Sequence, residues 1–384
     1  MKVGILGGGQ LARMMALAGH PLGLKFAVID PAPDACAFSV AEALCGPWED
    51  RELLERLAAW ADVVTCEFEN VPVESLRYFA GRVPTYPPPE AQAAKRDRLT
   101  EKQLLGELEI PTPAYQPVNS PRELREAVDR LGLPLVLKTR SYGYDGKGQR
   151  ILRCEEDVET AARELSALMI AEQFVRFNRE LSIVAVRGRN GQTAYYPIAE
   201  NVHTQGILFT CRCRPSDPVE PLARDYAARL LGKLDYVGVL AIEFFEADGR
   251  LLANEFAPRV HNTGHWTIEG AETSQFENHL RAILGWPLGA TSPVGFAAMV
   301  NCIGSLPERE PLLELGGVHL HYYGKMPRAG RKLGHVTVRA GSERELDAIL
   351  ERVVALVRRQ AHRLGPDELD GQPPAEPAVK ASSR

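Results

Sequence analysis

The chain has 384 residues, too many for one hydrophobic core, so two or three domains are expected. Its 45% hydrophobic and 25% charged content describes an ordinary globular protein, and a net charge of −5 offers no broad basic field for nucleic acid. Seven cysteines lack zinc-ligand spacing, Cys211-x-Cys213 being too tight for the usual pair, so reduced thiols in a cytoplasm are expected. No apolar run approaches membrane-spanning length, and the opening MKVGILGGG reads as a strand rather than a signal peptide.

Residues 1–86 alternate strand and helix: strands over 3–6, 26–30 and 63–65, helices over 11–18 and 50–60. That alternation predicts a parallel sheet covered by helices. Pro87-Pro88-Pro89 marks a boundary and favours extended polyproline chain. From Lys95 onward a charged helix leads to Pro111 and Pro113. Next come a helix over 122–131, a strand over 135–138, a glycine-rich turn, a strand over 149–152, another helix and a strand over 169–175. Residues 180–290 hold several strands, a helix over 223–231, an acidic hairpin and a helix near 275–284. After Pro293 a strand-rich segment continues to a helix over 343–362, and 366–384, rich in Pro, Ala, Ser and charge, is expected to be disordered. No internal repeat is present.

Gly7-Gly8-Gly9-Gln10-Leu11-Ala12 after a strand, with Asp30 ending the next, matches the dinucleotide-binding fingerprint. A tight strand-to-helix turn needs glycine whatever it binds, so the motif alone does not decide for a nicotinamide cofactor. A second glycine run, Gly143-Tyr144-Asp145-Gly146-Lys147-Gly148-Gln149, follows a strand ending at Lys138. Such a loop can drape backbone N–H groups over phosphates while the lysine adds a point charge. No G-x-x-x-x-G-K-[ST] motif occurs, which excludes a P-loop enzyme. Glu172-Gln173-Phe174-Val175 and Arg331-Lys332 are compatible with adenine and phosphate contacts but carry no weight alone.

The most informative stretch is the hairpin around Asp248-Gly249, whose two apolar runs each carry one carboxylate, Glu243 and Glu255. Arg259, His261, Asn262 and His265 follow at once. Mg²⁺ takes one or two protein carboxylates and completes its shell with phosphates and water, a role that suits two neighbouring glutamates. A two-residue loop with regular pairing would put Asn254 opposite Glu243 and turn Glu255 to the other face. We therefore predict a longer loop or a β-bulge that restores the Glu243–Glu255 pair.

Set in order, these segments resemble the 5-(carboxyamino)imidazole ribonucleotide synthases, purine-biosynthesis members of the ATP-grasp superfamily. The resemblance rests on Gly7 to Met14, Cys66-Glu67-Phe68-Glu69-Asn70-Val71-Pro72, Asp97-Arg98-Leu99-Thr100-Glu101-Lys102, Tyr142 to Gln149, Asn254 to Trp266, Ser274-Gln275-Phe276-Glu277 and Gly330 to His335. It implies an α/β and α+β fold: a Rossmann-like N-terminal substrate domain (1–95), a two-lobed ATP-grasp module (96–292, lid about 112–176) and a small β-rich C-terminal domain (293–365). It further implies that ATP, bicarbonate and 5-aminoimidazole ribonucleotide give the N-carboxylated ribonucleotide, ADP and phosphate through carboxyphosphate. Mg²⁺ would be required, NAD would not, and the enzyme would be a cytoplasmic homodimer.

Carried over position by position, the resemblance implies that Arg98 and Lys138 contact ATP phosphates under a lid of Gly143, Tyr144, Asp145, Gly146, Lys147, Gly148 and Gln149. Glu172, Gln173, Phe174, Val175, Glu180 and His203 would hold adenine and ribose. Glu243 and Glu255 would ligate Mg²⁺, with Asn254 beside the nucleotide. Gln10, Leu11, Glu67, Tyr144, Arg259, His261, Asn262, Gly264, His265, Lys325, Arg331 and Lys332 would surround the ribonucleotide. Asp145, Arg259, His261, Asn262 and Lys325 would form the catalytic set, Asp145 and Lys325 managing protons at the substrate amine. Two departures from the superfamily pattern stand out: Ala257 where many members have an Asn, and Tyr142 where relatives often have glycine. The rivals are another ATP-grasp carboxylate–amine ligase, such as the formate-using purine enzyme, a non-catalytic nucleotide-binding subunit, and a nicotinamide dehydrogenase.

Overall fold

The computed structural model describes residues 1–141, 143 and 148–363. The expected tail over 366–384 lies outside the described residues. Near the N-terminus, Lys2–Leu6, Lys25–Asp30, Glu42–Cys45 and Val63–Cys66 form a four-stranded parallel sheet, in the order third, second, first, fourth. The first, second and fourth of these strands are apolar and almost entirely buried, as parallel strands covered by helices require. The helix Gln10–Gly19 lies against the helix Gln275–Leu284 and ties this sheet to the rest of the molecule. Phe276, Leu280 and Ile283 of the second helix are fully buried, and each such side chain contributes roughly 1.5–3 kcal/mol. Ser274 begins that helix by accepting from the N–H of Glu277 at 3.2 Å, the serine half of a capping box.

A second, antiparallel sheet joins Tyr115–Val118, Met169–Gln173, Leu135–Thr139 and Gln149–Leu152. Among the described residues the third sheet has nine strands, one of them, Thr193–Tyr195, pairing with Arg179–Arg187 off the main path. It begins with the acidic hairpin, Arg250–Ala257 beside Gly238–Ala247, and passes through Arg179–Arg187, Ile198–Thr204 and Ile207–Arg214. It then runs on without a break into Phe296–Ile303, Lys332–Ala340 and Val318–Tyr322. The join is made by Thr210, Cys211 and Arg212 pairing with Val300, Met299 and Ala298. The final helix, Glu343–Arg363, covers this end through Leu346, Val353 and Val357. No described helix is long and apolar enough to cross a membrane, and all seven cysteines are free thiols.

Three expectations need correction. The charged segment after Lys95 is two helices, Pro89–Arg96 and Arg98–Glu107, broken where Asp97 takes an extended backbone (φ −120°, ψ 117°) and caps the second helix through Leu99 N. The polyproline run does not continue through Pro89, which occupies the first turn of a helix, where its missing N–H costs nothing. The strand expected over 169–175 ends at Gln173.

His279 joins the first and third sheets. Its Nδ1 accepts from Val239 N–H at 3.1 Å, so its Nε2 carries the proton and donates to Thr65 Oγ1 at 2.9 Å. Burial pulls its pKa down to about 4. The folded value lies below the unfolded one, so the contribution is complete above pH ~6.5 and is lost as pH falls toward 4, about 3 kcal/mol in all. The urea midpoint should drop between pH 7 and pH 5, and should drop less in a His279→Gln variant.

Candidate active site

The site begins with the hairpin. Asp248 (φ 50°) and Gly249 (φ 71°) form a two-residue loop of the type I′ kind, closed by the pair Ala247–Arg250. The predicted register is restored by a bulge: Phe244 pairs with Ala253 and Glu243 with Glu255, leaving Asn254 as the extra residue. Asn254 and Glu255 consequently both line the cleft, alongside Glu243.

The two carboxylates differ electrostatically. Glu255 Oε2 accepts from Lys95 Nζ and Arg98 Nη1, both at 2.9 Å. Burial alone would raise its pKa, but these cations hold it well below the usual range. Glu243 has His261 Nε2 near it, at 3.5 Å, and burial together with the charge of Glu255 pushes its pKa up to about 7. Like charges directly opposite in a ladder repel. A seat that resists holding both charges alone, and is open on the cleft side, suits a hard divalent cation. Among the described residues no third acidic, His or Cys side chain completes a metal cage, so phosphate and water would supply the remaining ligands.

Above the hairpin the cleft is roofed by the antiparallel sheet. Lys138 Nζ donates to Glu172 Oε2 at 2.9 Å and Asn254 Oδ1 at 3.3 Å, linking roof to floor. Burial works against the Glu172 charge, yet Lys138 and Lys102 bring its pKa down to about 2. Its second oxygen, Oε1, is buried with no hydrogen-bond partner among the described residues, an acceptor available to a ligand N–H. Gln173, Phe174, Val175, Gly143 and Gln149 line the same end. Glu180 also lines it and contacts His203 Nδ1 at 2.6 Å. Phe177 and Phe245, stacked at 4.9 Å, add an apolar platform that sequence reading did not single out.

At the other end, Arg259 is buried, with Nη2 on Glu69 Oε1 at 2.9 Å and Nη1 donating to Val260 O at 2.9 Å. His261 accepts from Thr263 N–H, and burial, then Arg259, drives its pKa well below the ordinary histidine value, so the ring is neutral. Asn262 is buried against the cleft with neither amide atom bonded among the described residues. Gln10, Leu11 and Lys332 also line the cleft, and Lys325 reaches this wall by donating to Gln10 Oε1.

Other expected residues sit elsewhere. Gly264 and His265 turn inward. A Cβ on Gly264 would meet Gln275 at 2.5 Å, and the fully buried His265 ring packs 4.8 Å from His335 and 5.6 Å from Phe276. The short 3₁₀ turn Asn262–Gly264 rotates His265 away from the wall that His261 and Asn262 share. Arg331 donates to Met326 O outside the lining, leaving Lys332 as the member of that pair in the cleft. Gly148, with φ +74°, packs on Thr139, whose Oγ1 would lie 2.6 Å from an added Cβ. Tyr142, Tyr144, Asp145, Gly146 and Lys147 lie outside the described residues.

The N-terminal glycine motif has a different occupant from the one its pattern suggests. Glu67 accepts from Gly9 N–H at 2.8 Å, Leu11 N–H at 3.2 Å and Ala12 N–H at 3.4 Å, so a carboxylate fills the helix N-terminus where a dinucleotide's pyrophosphate would sit. A Cβ on Gly9 would lie 2.5 Å from that carboxylate. Asp30 receives Gly8 N–H at 2.6 Å and Ala32 N–H at 2.8 Å, closing the turn instead of awaiting a ribose. Asp30→Ala should therefore leave the KM for ATP within about twofold while lowering stability by roughly 1–3 kcal/mol, read from ATP titrations and urea melts.

The fold and this cleft define an ATP-grasp enzyme, an ATP-dependent ligase: the family model for the ATP-grasp domain matches residues 103–276. The ribonucleotide synthetase preATP-grasp domain matches residues 1–95, and the phosphoribosylaminoimidazole carboxylase C-terminal domain matches 297–349. The N5-carboxyaminoimidazole ribonucleotide synthase of Pseudomonas aeruginosa is 52% identical over 358 residues, covering 93% of this chain and 99% of that protein. The crystal structure of N5-carboxyaminoimidazole ribonucleotide synthetase from Thermus thermophilus superposes with a TM-score of 0.88 at 51% identity, covering 92% of this chain and 98% of that one. The Aspergillus clavatus N5-carboxyaminoimidazole synthase, solved with ADP and 5-aminoimidazole ribonucleotide, superposes at 0.86 with 31% identity, covering 93% and 98%. The chain belongs to the N5-carboxyaminoimidazole ribonucleotide synthase family.

Proposed function

We propose that this cleft carboxylates the amine of 5-aminoimidazole ribonucleotide, using ATP and bicarbonate, with carboxyphosphate as the activated intermediate. The observation that carries the reading is the bulged hairpin, which brings Glu243, Asn254 and Glu255 to one face beneath Lys138. Glu243 and Glu255 would hold Mg²⁺, whose contribution is to neutralise charge on the triphosphate. Lys138 and Arg98 flank the phosphate path. Glu172 accepts from the adenine amino group through its open oxygen, with Gln173, Phe174 and Val175 at the base edge and Glu180 with His203 at the ribose. The resemblance assigns closure over the phosphates to the segment 143–149, of which Gly143 and Gln149 line the cleft.

Arg259, held flat by Glu69, presents a planar donor fork suited to bicarbonate or carboxyphosphate. Neutral His261 and the open amide of Asn262 complete that pocket, while Gln10, Leu11, Lys325 and Lys332 face the ribonucleotide. Asp145 and Lys325 are assigned the proton transfers at the amine, and burial lowers the pKa of Lys325, which suits a group that exchanges protons. Glu67, Gly264 and His265 support this wall from behind, while Arg331 donates to Met326 O outside it. NAD has no part in the reading, since Glu67 fills the seat its pyrophosphate would need. The domain limits 1–95, 96–292 and 293–365, a homodimer and a cytoplasmic location complete it; the free thiols suit a reducing compartment. Phosphate release assayed with 5-aminoimidazole ribonucleotide, with and without bicarbonate, tests the reading: release independent of bicarbonate would sink it.

A further inference from the structure

The bulge at Asn254 leaves backbone groups that need partners. Two successive carbonyls of a regular strand point to opposite sides, yet Ala253 O and Asn254 O lie 3.4 and 2.8 Å from the same Lys102 ammonium. Arg250–Ala257 is an edge strand, so backbone groups facing away from Gly238–Ala247 have no ladder partner. The next outward donor, Phe256 N–H, goes to Glu101 Oε1 at 2.7 Å. Two adjacent residues of the helix Arg98–Glu107 thus bind the backbone on both sides of Glu255.

Both are fully buried, Glu101 at 0% and Lys102 at 1% exposure. Lys95 Nζ compensates Glu101 at 3.0 and 3.1 Å and reaches Glu255 as well. Lys102 lies 3.6 Å from Glu172. Burying such charges is expensive, and a helix packed on an edge strand through apolar side chains is commonly as stable. What apolar side chains cannot do is satisfy the outward carbonyls and amide that the bulge displaces.

We infer that Glu101 and Lys102 are positioning residues that hold the bulge and so keep Asn254 and Glu255 together on the cleft face. The inference rests on the metal reading of Glu243 and Glu255 proposed above. Partners that orient a metal ligand typically change metal affinity or activity by about 10- to 100-fold when removed.

The test measures the Mg²⁺ concentration for half-maximal phosphate release, with melting curves confirming that each variant folds. Glu101→Ala and Lys102→Met should raise it at least about tenfold. Glu101→Gln, which still accepts from Phe256 N–H, should recover most of the loss, as should Lys102→Arg. Amide exchange at Phe256 should quicken in Glu101→Ala and not in Glu101→Gln. Unchanged Mg²⁺ dependence in Glu101→Ala and Lys102→Met, beside a crippled Glu255→Gln, overturns the inference. Wild-type behaviour of Glu255→Gln overturns the metal reading instead. Should Glu101→Ala fail to fold, the comparison of Lys102→Met with Lys102→Arg decides, and equal Mg²⁺ dependence in the two counts against the bulge.

Discussion

Glu255→Gln should reduce phosphate release on the order of a thousandfold while leaving a folded protein, because it removes one of two carboxylates at the metal seat without changing volume. The expectation follows from charge. Glu255 is held anionic by Lys95 and Arg98, whereas Glu243 sits near pH 7 and is only partly ionised when nothing neutralises its neighbour. Burial of Glu243 persists, but removing the Glu255 charge takes away the second cause that raises the Glu243 pKa, so that pKa should fall. Glu101 still pairs with Lys95 at 3.0 Å, which limits the structural cost. Turnover in a Mg²⁺ titration and the Mg²⁺-plus-ADP increment in melting temperature read the effect. An undiminished rate at ordinary Mg²⁺ would refute the assignment.

Arg259→Lys should cost about a hundredfold in bicarbonate-dependent turnover with little change in ADP affinity, since it retains the charge and loses the fork. The guanidinium is buried and spans Glu69 and the Val260 carbonyl, a geometry that three donors on a flexible stem cannot copy. An ammonium there would also leave Glu69 less completely paired. Fluorescent ADP displacement alongside the phosphate assay separates the two effects. Equal losses in both would move Arg259 from the carboxylating pocket to general support of the fold.

Much of this architecture was readable in advance because it depends on local pattern. The hairpin announces itself through Asp248-Gly249 between apolar runs, and the need to bring two glutamates to one face demanded an irregularity, which the structure supplies at Asn254. The helix expected near 275–284 is found at Gln275–Leu284. The buried charges were not readable. Lys95, Glu101 and Lys102 look like the solvated face of a charged helix, and only the break at Asp97 and the passing edge strand make them interior. His265 misled for the opposite reason: proximity in sequence to His261 suggested a shared face, and one short turn separates them. Glu67 shows a third limit, because a glycine pattern reports that something approaches the backbone closely without saying whether it is a ligand or the chain itself.

The uninterrupted third sheet bears on how the protein can be cut. Removing everything after residue 292 would strip Phe296–Ile303 from Ile207–Arg214 and leave a newly bare strand, its amides and carbonyls open to the same strand of another molecule. A shortened chain of this kind is a candidate for self-association rather than a minimal catalytic fragment.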